Sequence, residues 1–382
     1  GSKDQTITIE KDSTTSANGF DVTLTSGAHS IKGNTAPGIF KVAADKPASI
    51  TLAAGETVVA GNNKLTIGAN AANKNAKVTI DTFTNTKGTL TIEGSGADAA
   101  ASELNAKTIN IGVGSKANDA VVEVNGHGIL NATENMNIGD GAKITVAENG
   151  KINAANLTMT SGTLTTSGEV TGAQINLNGG TVDFSAESGV IGSQTSNVTI
   201  SGATVNSTKA GTIKGSTIEL KSGTIALTEG LTLDATDGNV NISGGNVNVA
   251  ASKTLTVKGA TNISAGTVTV SGGATAGTLD VTGNLTISGE GKIDLKTDNT
   301  AAGVMTVSGN ADVTGGKLII GSGSTVTFNG NASFALGTLE NAGTIDMGTV
   351  GGDTAQAVRN AKLEVAAADF EKLFKGDAKV KV

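Results

Sequence analysis

Asn239–Val247 reads NVNISGGNV, and nearly the same nine-residue phrase stands at four other places. They are NLTMTSGTL at Asn156–Leu164, QINLNGGTV at Gln174–Val182, NVTISGATV at Asn197–Val205 and TIELKSGTI at Thr217–Ile225. In each copy the first apolar residue (Leu157, Ile175, Val198, Ile218, Val240) precedes the third by seven positions. Between them lies a short polar turn containing Gly, which takes positive φ without a Cβ clash. On either side apolar residues alternate with Thr, Asn or Glu, the period-two signature of a strand with one buried face.

Successive copies start 18, 23, 20 and 22 residues apart. A unit of about twenty residues holding two or three short strands cannot bury its own apolar face, so it must stack on its neighbours. This predicts an all-β, right-handed parallel β-helix (β-solenoid) of about 20 residues per coil. An antiparallel arrangement competes, because two strands joined by a short Gly turn also describe a hairpin. The solenoid is preferred because hairpin proteins fill their cores with larger rings, and this chain has eight Phe, no Trp and no Tyr.

Looser copies extend the pattern in both directions, including NLTISGEGKIDL at Asn284–Leu295 and KLIIGSGSTVTF at Lys317–Phe328. Residues 1–350 therefore read as one solenoid rod of roughly 17 coils, its Gly1-Ser2 a cloning remnant on a piece of a longer protein. Outward loops are expected at 70–76, 94–106 and 296–303, the Ala-rich second one as a possible short helix. Residues 351–382 read as a C-terminal cap or junction. Phe370, Leu373 and Phe374 there make one apolar helical stripe over 366–374, and AKVKV is a candidate last strand.

Composition narrows the function classes. With 27 Lys+Arg against 34 Asp+Glu, the chain lacks the basic balance of a nucleic-acid binder. The absence of Cys removes disulfides, thiolate metal sites and a thiol nucleophile. No run approaches the roughly 20 apolar residues of a membrane helix.

Catalytic candidates are sparse. His29 and His127 lie far apart among small residues and read as solvated loop histidines. Asp183, Glu219, Asp234, Asp237, Asp280 and Asp294 are the carboxylates that stacking could gather for polysaccharide cleavage, although Trp and Tyr, the usual sugar platforms, are absent. DATDG at Asp234–Gly238 offers two carboxylates and a Gly, and reads as a turn rather than a calcium loop. GVGSKA at Gly112–Ala117 lacks the third Gly of a dinucleotide loop. The Asn-x-Ser/Thr triplets at Asn131, Asn156, Asn197, Asn206, Asn241, Asn262, Asn284 and Asn331 are what an Asn- and Thr-rich chain holds by chance. No catalytic, cofactor or metal residue is assigned, and no enzymatic activity or cofactor is expected.

Outward Thr-x-Thr pairs occur at Thr6–Thr8, Thr23–Thr25, Thr163–Thr165, Thr254–Thr256 and Thr267–Thr269. They raise the idea of a flat hydroxyl ladder, as on ice-binding solenoids. The other copies carry Thr, Asn, Asp or Glu at the outward positions, so a regular lattice is not written in the sequence, and Thr also favours exposed strand positions for its own reasons.

NVNISGGNVNV at 239–249 and TVTVSGG at 267–273 resemble the β-helical passengers of Gram-negative autotransporters and the filamentous-haemagglutinin-like exoproteins of two-partner secretion. The resemblance covers most of the chain and identifies a style of construction. It implies a non-enzymatic adhesin or stalk on the cell surface, outside a Gram-negative bacterium. Its partners would be a host or bacterial surface glycan or protein, or a second copy of itself, often in biofilm formation. A surface-layer lattice protein is the alternative, and a polysaccharide-degrading enzyme the third. No family functional residue maps onto this chain.

Overall fold

In a computed structural model the chain is nearly all-β, with 69% of residues in strands and 1% in helix. The structure describes residues 76–94, 101–114, 120–295 and 302–347, with shorter strand segments before residue 76 and after 347. Side chains are described from Leu65 onward. These residues form a parallel β-solenoid of about 12 turns, repeating roughly every 22 residues, in two compact units, 1–192 and 193–382.

The lap from Thr217 to Asn239 shows how the sequence produces a coil. Thr217–Leu220 forms one side, Lys221-Ser222-Gly223 a corner, Thr224–Leu227 a second side and Leu231–Asp234 a third. Inward-facing Ile218, Leu220, Ile225, Leu227, Leu231 and Leu233 are all buried. Each is completed by a residue of the same kind in the adjoining laps. Ile225 stands in register with Val205 on one side and Val247 on the other. A buried aliphatic chain contributes roughly 1.5–3 kcal/mol over an exposed one, so the stacked columns are what drives the fold.

Strand pairing decides between the two arrangements the repeat allowed. Within each unit the flanks of a Gly turn pair parallel with the laps before and after, and not with each other. The turn is therefore a corner. Its last residue in successive laps is Gly223 (φ 94), Gly245 (φ 74) and Gly266 (φ 78). A Cβ on Gly245 would stand 2.7 Å from the Gly223 carbonyl oxygen, so positive φ and close stacking both require Gly there.

Lap length varies because the corners absorb insertions while the sides stay in register. Ile152 pairs with Val170, eighteen residues on, Leu104 with Leu130, twenty-six on, and Leu90 with Val122, thirty-two on. The solenoid shows about 12 turns roughly 22 residues apart, fewer than the roughly 17 coils of twenty residues that the sequence pattern predicts.

Two loop expectations meet the structure in part. Of the segment 94–106, Ser102–Ala106 is strand rather than helix, its Leu104 and Ala106 buried in the core. The segments 70–75 and 296–301 lie outside the described residues. Of the helix expected over 366–374, only Phe370 and Glu371 are described, in 3₁₀ geometry. The AKVKV tail does form a strand, Lys379–Lys381, which pairs parallel with Thr344–Asp346.

Candidate functional site

Because laps stack in register, outward side chains form rows across the coils. In the first unit one row runs Thr79, Asn105, Asn131, Asn153, Thr171, and another Thr84, Asn110, Asn137, Thr158, Asn176. Strands about 4.8 Å apart bring stacked amides within hydrogen-bonding reach. Asn131 Nδ2 donates to Asn105 Oδ1 at 3.0 Å, and Asn137 Nδ2 to Asn110 Oδ1 at 2.9 Å. The hydroxyl of Thr171 donates to Asn153 Oδ1 at 2.7 Å. In the second unit Asn262 Nδ2 donates to Asn241 Oδ1 at 2.9 Å. These rows spend their polar capacity along the stack.

Charges are paired in the same way. Lys77 meets Glu103 at 2.9 Å, Lys107 meets Asp81 at 2.8 Å, and Lys151 meets Glu169 at 2.9 Å, each across one lap. Burial alone would push the Glu103 carboxyl up, but hydrogen bonds from Asn105 and Lys77 and the lysine's charge hold it below the usual carboxylate range. The Asp81 carboxylate, as hydrogen-bond acceptor and as countercharge, raises Lys107. Such exposed pairs contribute little stability.

One face of the second unit is different. Its third-side strands place Thr254, Thr278, Val304, Thr325 and Thr344 in one row. Two residues along, Thr256, Asp280, Thr306, Thr327 and Asp346 form a second, which Thr232 and Thr212 extend. Among the described residues the hydroxyls of these threonines have no hydrogen-bond partner, and neither does the Asp280 carboxylate. The residues between the rows, including Leu255, Leu279, Met305, Val326 and Ile345, are buried, so the outward groups stand on a rigid packed sheet.

The carboxylates noted in the sequence do not converge. Asp183 stands in register with Thr165, while Glu219 takes Lys221 at 3.3 Å and Ser243 at 3.5 Å. Asp234 is nearly buried between Lys214 and Lys258 in the register and accepts from the Thr236 hydroxyl at 2.6 Å. Its burial would raise the carboxyl, but the hydrogen bonds from Thr236 and Gln194 and the Lys258 charge hold it below its ordinary value. Asp237 is exposed at the corner that follows. Asp280 belongs to the threonine face, and Asp294 is buried beside Lys292 at 2.9 Å. Among the described residues no group of three or more His, Cys, Asp or Glu is arranged to hold a metal ion.

His127 lies in a tight corner, where its backbone packs so closely on Gly94 that no side chain would fit at residue 94. His29 lies on the strand His29–Gly33, and its side chain is outside the described residues. GVGSKA begins at a corner as well. Gly112 has φ 67, its amide donates to the Asn85 carbonyl at 2.8 Å, and 115–117 lie outside the described residues.

A shallow groove of about 700 Å³ runs along the first unit beside Asn137, Asp140, Thr158, Thr160 and Ser161, with half-exposed Val113 on its rim. A smaller one of about 350 Å³ in the second unit is lined by Asn310, Asp312, Asn331, Ser333 and Glu364. The Ser333 hydroxyl donates to Asp312 there. Both grooves are shallow and mixed in character, set by the register of outward side chains on stacked laps. No helix of the described residues is long and apolar enough to cross a membrane.

No family model matches the chain, and neither the curated proteins nor the solved structures contain a match to it.

Proposed function

We propose that this chain is a non-enzymatic binding or stalk region displayed outside a Gram-negative bacterium, an adhesin whose affinity is spread along its faces. The observation that carries the proposal is the register of the outward rows. The same polar groups recur lap after lap at fixed spacing, on a backbone whose turns are locked by a continuous core. Weak contacts repeated at fixed spacing add through avidity, where a single contact would not hold. The resemblance to autotransporter and two-partner-secretion passengers supports the same reading, with a partner among cell-surface glycans, surface proteins or further copies of the chain.

The test is binding by the purified chain to glycan arrays, matrix proteins and whole cells, alongside polysaccharide turnover assays and electron microscopy of the protein alone. Saturable binding without turnover is expected. Ordered sheets formed without ligand, and no binding, would replace the adhesin with a surface lattice. Release of reducing ends from a polysaccharide would replace it with an enzyme.

A further inference from the structure

We infer that the threonine face of the second unit binds the surface of an ordered, hydroxyl-rich polysaccharide, such as a crystalline fibre, rather than a single soluble sugar chain. The inference deepens the adhesin reading and rests on it. Three features carry it.

The first is that the two rows form a net. Neighbouring strands set one repeat at about 4.8 Å, and two residues along a strand, at about 3.3 Å each, set the other at roughly 6.6 Å. The pairs Thr254/Thr256, Thr325/Thr327 and Thr344/Asp346 occupy equivalent nodes, with register unbroken from the strand at Thr254 to the strand at Thr344. A single flexible sugar chain gains little from registration in two directions. A surface that is itself periodic meets every node at once.

The second feature is that the threonine hydroxyls of the net are chemically free among the described residues. The Asn rows elsewhere hydrogen-bond to one another along the stack, as Asn131 does to Asn105 and Asn262 to Asn241. The threonine hydroxyls make no such bond among the described residues. Each offers one donor and acceptor capacity to whatever lies against the face. The strand backbone cannot compete for them, because its own groups are bound in the parallel ladders.

The third feature selects the ligand. Asp280 replaces Thr at one node and has no partner among the described residues. An ionised carboxylate only accepts hydrogen bonds, so this node calls for a surface that presents O–H or N–H donors. A sugar polymer does so with its hydroxyls, and the Thr methyls and Val304 pack against its C–H groups. A charged, acceptor-only node interrupts a purely hydroxyl lattice, which disfavours ice as the occupant.

The experiment is a pull-down of the intact chain with microcrystalline cellulose and crystalline chitin, against swollen amorphous cellulose and soluble oligosaccharides of the same sugars. Binding to at least one crystalline form and not to its soluble counterpart is expected. Two paired variants read the face: Thr306→Val with Thr327→Val removes hydroxyls and keeps shape, and Thr306→Arg with Thr327→Arg blocks the face. The first should lower the partition onto the fibre about tenfold, and the second should abolish it. Thr224→Arg, on the second side of its coil, should leave partition unchanged, and circular dichroism checks that all variants stay folded.

Equal binding of soluble oligosaccharides, or fibre binding that the face variants do not change, overturns this inference and leaves the adhesin reading standing. Thermal hysteresis in freezing solutions, or self-association, lost in the same variants assigns the net to ice or to a second copy and overturns it too. Absence of binding to any glycan, protein or cell removes the adhesin reading as well.

Discussion

The corner glycines give the sharpest test of the stacked coil. Gly245 and Gly337 have almost the same backbone, φ 74 and φ 78, and differ in their surroundings. A Cβ on Gly245 would meet the Gly223 carbonyl oxygen at 2.7 Å and the Ser222 carbonyl carbon at 3.0 Å, both backbone atoms of the previous lap. A Cβ on Gly337 meets nothing within 4 Å. Both Gly→Ala variants carry the left-handed cost of about 1–2 kcal/mol. Both recover about 0.4–1 kcal/mol from the lower entropy of the unfolded chain. Gly337→Ala should therefore cost little, about 0–1.5 kcal/mol. Gly245→Ala must also push a neighbouring backbone that is itself locked at positive φ, and overpacking of this kind costs about 1–3 kcal/mol more. The difference amounts to roughly five- to 150-fold in local opening. Native-state hydrogen exchange should show it at the amides of 246–249 and 224–227 in Gly245→Ala, compared with those around 339–341 in Gly337→Ala. Equal loss of protection in the two variants would refute the claim that lap-to-lap stacking, rather than backbone conformation alone, demands glycine at the corners.

Further expectations follow from single residues. Thr261 occupies a core position in register between Val240 and Leu285, 3% exposed, and its hydroxyl lacks a partner among the described residues. Thr261→Val should raise stability by about 1–3 kcal/mol, and an unchanged or lower denaturation midpoint would show that the hydroxyl is satisfied in solution. Ile242→Ala, at a site 4% exposed, should cost about 2–5 kcal/mol. In a quasi-one-dimensional stack the lost exchange protection should be confined to adjoining laps, and uniform loss across the unit would speak against repeat-wise cooperativity. The carboxyl of Asp234 is held below its ordinary value, so its charged form stabilises the fold. That contribution is complete above the unfolded value of about 3.9 and is lost as pH falls through the lower folded value. Exchange protection of Leu231–Asp234 should therefore fall at acid pH in the parent and be nearly pH-independent in Asp234→Asn; the same acid loss in both would assign it to other carboxylates.

The carboxylates show where reading residues one by one stopped being informative. Asp234, Asp280 and Asp294 look alike in the sequence, each one residue beyond a buried Leu or Ile of a strand. The structure separates them: Asp234 is nearly buried at the end of its coil side and hydrogen-bonded to Thr236, Asp294 is buried beside Lys292, and Asp280 has no partner among the described residues on the threonine face. Their environments come from the laps above and below, whose alignment depends on insertions at the corners. For the same reason the Thr-x-Thr pairs legible in the sequence do not by themselves show which of them share a face. Thr254–Thr256 and Thr325–Thr327 lie 71 residues apart in the chain and become members of one net only when three laps of unequal length have brought them into register.

The solenoid itself was legible, because its two requirements are local and repeat. Period-two apolar residues and a Gly-bearing corner every twenty-odd positions state that each lap needs a neighbour. Parallel rather than antiparallel pairing, the number of laps and the strand at Ser102–Ala106 were decided by tertiary structure. A backbone donor does not specify which strand will accept from it; only the packing of one lap on the next does. Which outward groups bond to each other, and which face remains free to bind something else, follows from that same registration.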